Sequence, residues 1–204
     1  SAGITNTIDG TSQIGMSSRD LKDEEKSQVE GTTIAYDGIA LLVNPNNTVK
    51  NISLEDVKKI YTGEITNWKD LGGEDAPIVV VSREEGSGTR DAFQEIVGYE
   101  SEELTKDASI SDGSGAVKTT VAGNKNAIGF ASFEYIDDTV SALSVNDVEP
   151  TAENVKAGDY KISRPFLLVT SKDTLTDEGQ KLIDFVLSSE GQQIVKDNKL
   201  ITIE

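Results

Sequence analysis

Residues 79–94 read VVVSREEGSGTRDAFQ, and the order of events in that stretch decides the class of fold. Ile78 to Val81 is a short β-branched run, the signature of a buried strand, and it stops at Ser82. Glycines at 86 and 88 mark a turn. From Thr89 to Val97 the spacing predicts a helix with Phe93, Ile96 and Val97 inward. A strand that passes through a Gly-rich turn directly into a helix is a unit of an α/β fold.

The same turn concentrates hydrogen-bond donors. The first N–H groups of a helix have no intrahelical acceptor, and the helix dipole adds partial positive charge at that end. Glycines at 86 and 88 let a ligand approach the backbone, and Ser87 and Thr89 add hydroxyls. Arg83, just after the strand, and Arg90, in the first turn, supply permanent charge in planar forks that suit tetrahedral oxyanions. This chemistry points to an anion site. The alternative is an ordinary Ser/Thr N-cap flanked by solvent-exposed arginines. The turn is not a Walker loop, because the Gly-Lys-Ser/Thr ending is missing.

Outward from this unit, strands and helices alternate. Ile4 and Ile8, at i, i+4 spacing, belong to the end of a helix that stops at Gly10, and Ser12 to Met16 reads as a strand. Residues 20–27 predict a helical turn. Thr32 to Val43 is β-rich, with Asp37-Gly38 expected to interrupt it. Ser53, with Asp56 three residues on, caps a helix over 54–61 that Thr62-Gly63 ends. Gly115 to Gly123 reads as a short helix, and Ala127 to Phe130 as a strand whose Gly129 marks a close approach. Thr151 to Gly158 is a helical turn. Ser163 to Thr170 is a strand, two helices follow over 176–187 and 189–196, and residues 200–203 close as a strand. The alternation argues for α/β with a largely parallel sheet. There is no internal repeat and no Pro-rich linker.

Composition narrows the chemistry. The 204 residues carry 19 Lys plus Arg and 36 Asp plus Glu, a formal charge of −17. That field repels nucleic acid and anionic lipid, and no basic block offsets it. There is no cysteine and no histidine, which removes disulfides, thiol nucleophiles, Ser-His-Asp triads and His-ligated zinc. No metal or other cofactor is called for. An enzyme acting on phosphate esters would lack histidine, cysteine and a dense Asp cluster for two metals, so no catalytic residue is assigned.

A second donor cluster, Ile14-Gly15-Met16-Ser17-Ser18-Arg19, has the order strand, glycine, hydroxyls, arginine. It reads equally as a strand-to-turn exit. Ser1 with Ala2-Gly3 could start a helix, or be a frayed terminus.

Taken in order, Ser1-Ala2-Gly3-Ile4, Ile14-Gly15-Met16-Ser17-Ser18-Arg19, Tyr36-Asp37-Gly38-Ile39-Ala40, Tyr61-Thr62-Gly63-Glu64-Ile65-Thr66-Asn67-Trp68 and Arg83-Glu84-Glu85-Gly86-Ser87-Gly88-Thr89-Arg90 resemble the PstS-like phosphate-binding proteins of bacterial phosphate ABC transporters. The resemblance runs from Ser1 to about Leu200. It implies a two-lobed periplasmic-binding-protein fold (type II) with mixed, largely parallel sheets and an anion held in an inter-lobe cleft. Lobe one would hold residues 1–35 and 165–204, lobe two residues 36–164. Ser1, Ser18, Arg83, Ser87, Gly88 and Thr89 would contact phosphate, with Ser17, Arg19, Glu85 and Arg90 in support. An ABC permease in the membrane is the implied partner. The implied location is outside the cytoplasm, in a periplasm or lipid-anchored to the outer face of the membrane.

Two departures from the family pattern bear on this reading. The family's first strand, anion loop and helix would precede Ser1, so the first strand-helix unit of lobe one is expected to be missing. The chain is expected as a monomer, with strand exchange open to it through the uncovered sheet edge. At Ser18 some family members carry a carboxylate, which accepts the proton of hydrogen phosphate and so rejects sulfate. Glu85 or Asp91 is the remaining candidate, against a reading of both as partners of Arg83 or helix-start acids. The alternatives in function are a receptor for sulfate or molybdate, and a non-transport surface sensor or adhesin of the same fold. Tyr61 and Trp68 are read as packing groups, since an inorganic anion has no face to stack on.

Overall fold

The computed structural model describes residues 2–203. The helices are α1 (Ala2–Ile8), α2 (Asp23–Lys26), α3 (Leu54–Tyr61), α4 (Gly88–Val97), α5 (Ser114–Gly123), α6 (Ala152–Lys156), α7 (Asp177–Leu187) and α8 (Ser189–Asp197). The strands are β1 (Ile14–Ser17), β2 (Glu30–Val43), β3 (Asn51–Ile52), β4 (Val79–Arg83), β5 (Ser109–Ser111), β6 (Ala127–Ser132), β7 (Ser141–Ala142), β8 (Ser144–Val145) and β9 (Ser163–Thr170). The chain divides into two compact units, one of residues 1–37 and 164–204, the other of residues 38–163. The boundaries fall inside β2 and at the start of β9, so no linker joins the units. No helix of the described residues is long and apolar enough to cross a membrane.

In the discontinuous unit β1 runs antiparallel to β9, with Ile14 opposite Thr170 and Ser17 opposite Leu167. Ile4 of α1 packs there with Leu21, Val29, Leu167 and Val169, and Ile8 lies against the same cluster. The i, i+4 pair of isoleucines is therefore the buried face of α1. The C-terminal residues 200–203 do not form the expected strand. Ile201 makes one antiparallel bridge to Tyr36, with bonds of 2.8 and 2.9 Å.

In the continuous unit β6 pairs with β2 antiparallel and with β4 parallel, and β5 adds to β4 in parallel. Helix α3 starts where the sequence places it: the Ser53 hydroxyl accepts from the Asp56 N–H at 3.0 Å. Its inward face, Val57, Ile60 and Tyr61, is fully buried. Tyr61, Phe93 of α4 and Phe130 of β6 form one aromatic cluster, with Phe93 stacked on Phe130 at 4.1 Å and Tyr61 edge-on to Phe93 at 4.9 Å. Trp68 is buried too and donates from Nε1 to the Asn126 carbonyl at 2.9 Å. These rings hold α4 to the sheet, and with it the turn at its start.

Strand β2 is continuous through Asp37-Gly38, against the expected break. Gly38 is there for space: a Cβ would lie 2.5 Å from the Phe133 ring. Gly129 has the same reason, since its Cβ would come within 2.5 Å of Val117 Cγ1 and 3.1 Å of Val121 Cγ2 on α5. Gly129→Ala is expected to destabilise this unit by about 1–3 kcal/mol, the usual cost of overpacking. Urea unfolding followed by the fluorescence of Trp68, the single tryptophan, measures it. Adding Val117→Ala should recover part of the loss, and no recovery would place the cause elsewhere.

Candidate functional site

The β4–α4 turn is built as a donor nest. Gly86 adopts φ +82°, a conformation that L side chains rarely take, and so reverses the chain after Glu85. Ser87 caps α4, its hydroxyl accepting from the Arg90 N–H at 3.2 Å. Neither arginine of the turn is solvent-exposed: Arg90 is buried, and the Arg83 side chain is 11% exposed. Arg90 donates from Nη1 to the Arg83 carbonyl at 3.1 Å, tying the helix start to the strand end.

Arg83 is held on two sides. Its Nε and Nη2 donate to the two carboxylate oxygens of Glu84, each at 2.7 Å, and Nη1 donates to the Ser114 hydroxyl at 2.7 Å. A guanidinium has five N–H donors, so this arrangement fixes its plane and leaves donors over for a ligand. Glu84 reaches further, accepting from the Gly113 N–H at 3.2 Å.

Ser114 and Gly113 belong to a second turn of the same design. Strand β5 leads to Gly113, at φ +87°, and α5 begins at Ser114. Gly86-Ser87-Gly88 and Gly113-Ser114-Gly115 are the same tripeptide at the start of neighbouring helices. Arg83 and Glu84 bond one to the other, so two helix N-termini are coupled through one ion pair. The repeated tripeptide was the signal in the sequence, but Gly-Ser-Gly is too common to count until β5 brings the second copy beside the first.

The sequence model of the PBP superfamily domain matches residues 1–190. Over 98% of its length the chain is 37% identical to the phosphate-binding protein PstS of Bacillus subtilis (strain 168), of which it covers 68%. The chain belongs to the PstS family. It is 31% identical over its full length to PstS of Borreliella burgdorferi, covering 77% of that protein. Among solved structures, an ABC-type phosphate transport receptor from Vibrio cholerae superposes with a TM-score of 0.90 at 34% identity, over 98% of this chain and 84% of that one. A Clostridium perfringens protein solved with bound phosphate is 60% identical, with a TM-score of 0.77 over 100% of this chain and 84% of that one.

In this PstS-family chain the candidates read from the sequence fall in both units. Arg83, Glu85, Ser87, Gly88, Thr89 and Arg90 come together in the β4–α4 turn. Ser17, Ser18 and Arg19 follow β1 in the discontinuous unit. Ser18 is exposed there, while Ser17 is buried and bonds within the turn, its hydroxyl donating to the Arg19 carbonyl at 3.0 Å. Arg19 donates from both terminal nitrogens to the Glu25 carboxylate at 2.9 and 2.8 Å. Ser1 lies outside the described residues. The partner of Arg83 is Glu84, not Glu85 or Asp91; Glu85 is exposed.

Two of these carboxylates are held well below the ordinary carboxylate range, at about 2. For Glu84 the causes are the Arg83 bonds first and the Gly113 N–H next; for Glu25 they are the Arg19 bond and then the Lys22 N–H. A folded-state pKa below the unfolded value stabilises the fold above about pH 4.5 and loses that contribution as pH falls towards 2. Acid unfolding is therefore expected to steepen between these limits. Glu84→Gln should flatten the profile reported by Trp68 in the same unit, and an unchanged profile would contradict the assignment.

Proposed function

We propose that this chain captures inorganic phosphate outside the cytoplasm and releases it to a membrane ABC permease. It acts as a monomer and performs no chemistry on its ligand. The observation that carries this reading is the held guanidinium of Arg83 at the start of α4, among the Ser87 cap, the helix N–H groups and Ser114. A half-buried cation whose plane is fixed by Glu84 presents its remaining donors in one direction, as a tetrahedral oxyanion requires. The family's phosphate-binding members support the choice of oxyanion. Within the turn, Arg83, Ser87, Gly88 and Thr89 are the proposed contacts, with Ser114, Glu84 and Arg90 holding them; Ser18, with Ser17 and Arg19 in support, is a further proposed phosphate contact.

Isothermal titration of the chain with phosphate tests it, and a single saturable site is the expected result. Absence of any phosphate heat or shift at the turn would remove the reading. A second reading, a less selective oxyanion receptor, is favoured by one feature. The turn offers ligands mainly donors, because Glu84 is already engaged by Arg83 and Gly113. Rejection of sulfate needs an acceptor facing the ligand. Sulfate that displaces phosphate at comparable concentration selects the second reading.

A further inference from the structure

The chain has four arginines, and three of them face a carboxylate. Arg19 pairs with Glu25, Arg83 with Glu84 and Arg164 with Asp37. Arg90 is the most enclosed of the four, at 6% exposure. Among the described residues it forms no ion pair. Its guanidinium donates instead to a neutral acceptor, the Arg83 carbonyl, at 3.1 Å. A cation taken out of water without an opposite charge destabilises the fold that holds it, and a bound anion offsets that cost.

The charge sits where such an anion is expected. Arg90 lies in the first turn of α4, at the positive end of the helix dipole. Arg83 beside it brings donors but little net charge. Both Glu84 oxygens bond its guanidinium, and those bonds hold Glu84 ionised, at about 2. Glu85 and Asp91, the other acids of the turn, are exposed, where water and salt screen them. On the inner side there is little to screen Arg90. Tyr99, which its charge reaches, is 3% exposed, and the fully buried Tyr61 ring stacks on Tyr99 at 6.0 Å. In such surroundings the field of one charge carries further than at a surface. It also runs against the formal charge of −17 on the whole chain.

We propose that Arg90 sets the preference of this turn for a doubly charged oxyanion, acting through its field without touching the ligand. Arg83 and the helix N–H groups fix where the oxygens lie, and that geometry is the same for a monoanion and a dianion. The Arg90 contribution grows in proportion to the charge of the ligand. The assignment rests on the phosphate reading and adds the ionic form, hydrogen phosphate over dihydrogen phosphate.

Calorimetric titration with inorganic phosphate at about pH 5 and about pH 8 tests it, on the parent chain, Arg90→Gln and Arg90→Lys. The ligand changes its charge over this range. The ionisable groups around Arg90 are Arg83 and Glu84 at the end of β4, Glu85 in the turn, Asp91 on α4, Tyr61 of α3 and Tyr99. None is a histidine, the side chain whose ordinary titration falls in this window. Glutamine and lysine can both donate to the Arg83 carbonyl, so charge is what separates the two variants. Arg90→Gln should weaken phosphate about ten-fold at the higher pH and about three-fold at the lower, one factor for each ligand charge. Arg90→Lys should stay within about three-fold of the parent at both. Without phosphate, the glutamine variant should melt no lower than the parent, because no ion pair is broken. An equal loss at both pH values, a lysine variant as weak as the glutamine one, or a marked fall in melting temperature would make Arg90 a structural prop and overturn the proposal. So would a glutamine variant that binds like the parent. A parent chain that takes up no phosphate at either pH would instead remove the phosphate reading, and this assignment with it.

Discussion

Arg164→Met lowers the unfolding free energy by about 3 kcal/mol, the scale of breaking a buried ion pair from one side. Arg164 donates from Nε and Nη2 to Asp37 Oδ2 at 3.2 and 3.0 Å, and the two side chains are 15% and 7% exposed. Its guanidinium also lies 5.2 Å over the Phe166 ring. Methionine keeps the packing of the stem and removes the charge, so Asp37 stays buried without its cation. The pair joins the last residue of one segment of the discontinuous unit to the first residue of the other. Urea unfolding followed by circular dichroism measures the loss. Replacing both, Arg164→Met with Asp37→Leu, should restore most of it, because a buried pair exchanged for apolar groups is often neutral or better. A single variant within about 0.5 kcal/mol of the parent, the scale of a neutral surface change, would show that the pair is not a structural clamp.

Arg83→Lys is expected to weaken phosphate about 10²-fold or more, from the 2–5 kcal/mol that truncating a buried charged partner costs. Charge is conserved in this change, and geometry is not. Lysine has three donors on one atom and cannot bond both Glu84 oxygens, Ser114 and a ligand. Calorimetric titration reads the affinity, with the melting temperature as a check on folding. A lysine variant within three-fold of the parent would mean that the site needs only a positive charge, and the fixed-plane account would fail. Ser114→Ala removes a single neutral partner of the same guanidinium, and about five-fold is expected there.

Much of this was legible in the residues. The caps at Ser53 and Ser87, the isoleucine pair of α1 and the close-approach glycine at 129 each follow from a local rule, and local rules are what a single sequence carries. The misreadings share a different cause. Asp37-Gly38 has the composition of a turn, yet it stays in a strand because Arg164, 127 residues away, pairs with Asp37 and Phe133 occupies the space above Gly38. Ser109-Ile110-Ser111 is too short to signal a strand, and without it Ser114 has no reason to sit beside Arg83. Likewise Glu85 and Glu84 are equivalent acids on paper, and the path of the turn decides which one meets the guanidinium. In α7, Leu182 and Phe185 are apolar but 53% and 42% exposed, a distinction that helical spacing alone does not make.

The placement of the two unit boundaries has a consequence for the order in which the protein is made. Residues 38–163 form one uninterrupted stretch and carry their own sheet and aromatic cluster. They are synthesised in full before Arg164 is added. The other unit has to hold its N-terminal 37 residues open until β9, α7 and α8 emerge, and domains generally fold as units during synthesis. During that interval β1 lacks β9, its antiparallel partner. The nascent chain therefore passes through a stage in which every residue of the continuous unit has been synthesised while β1 still awaits its partner from the segment that begins at Arg164.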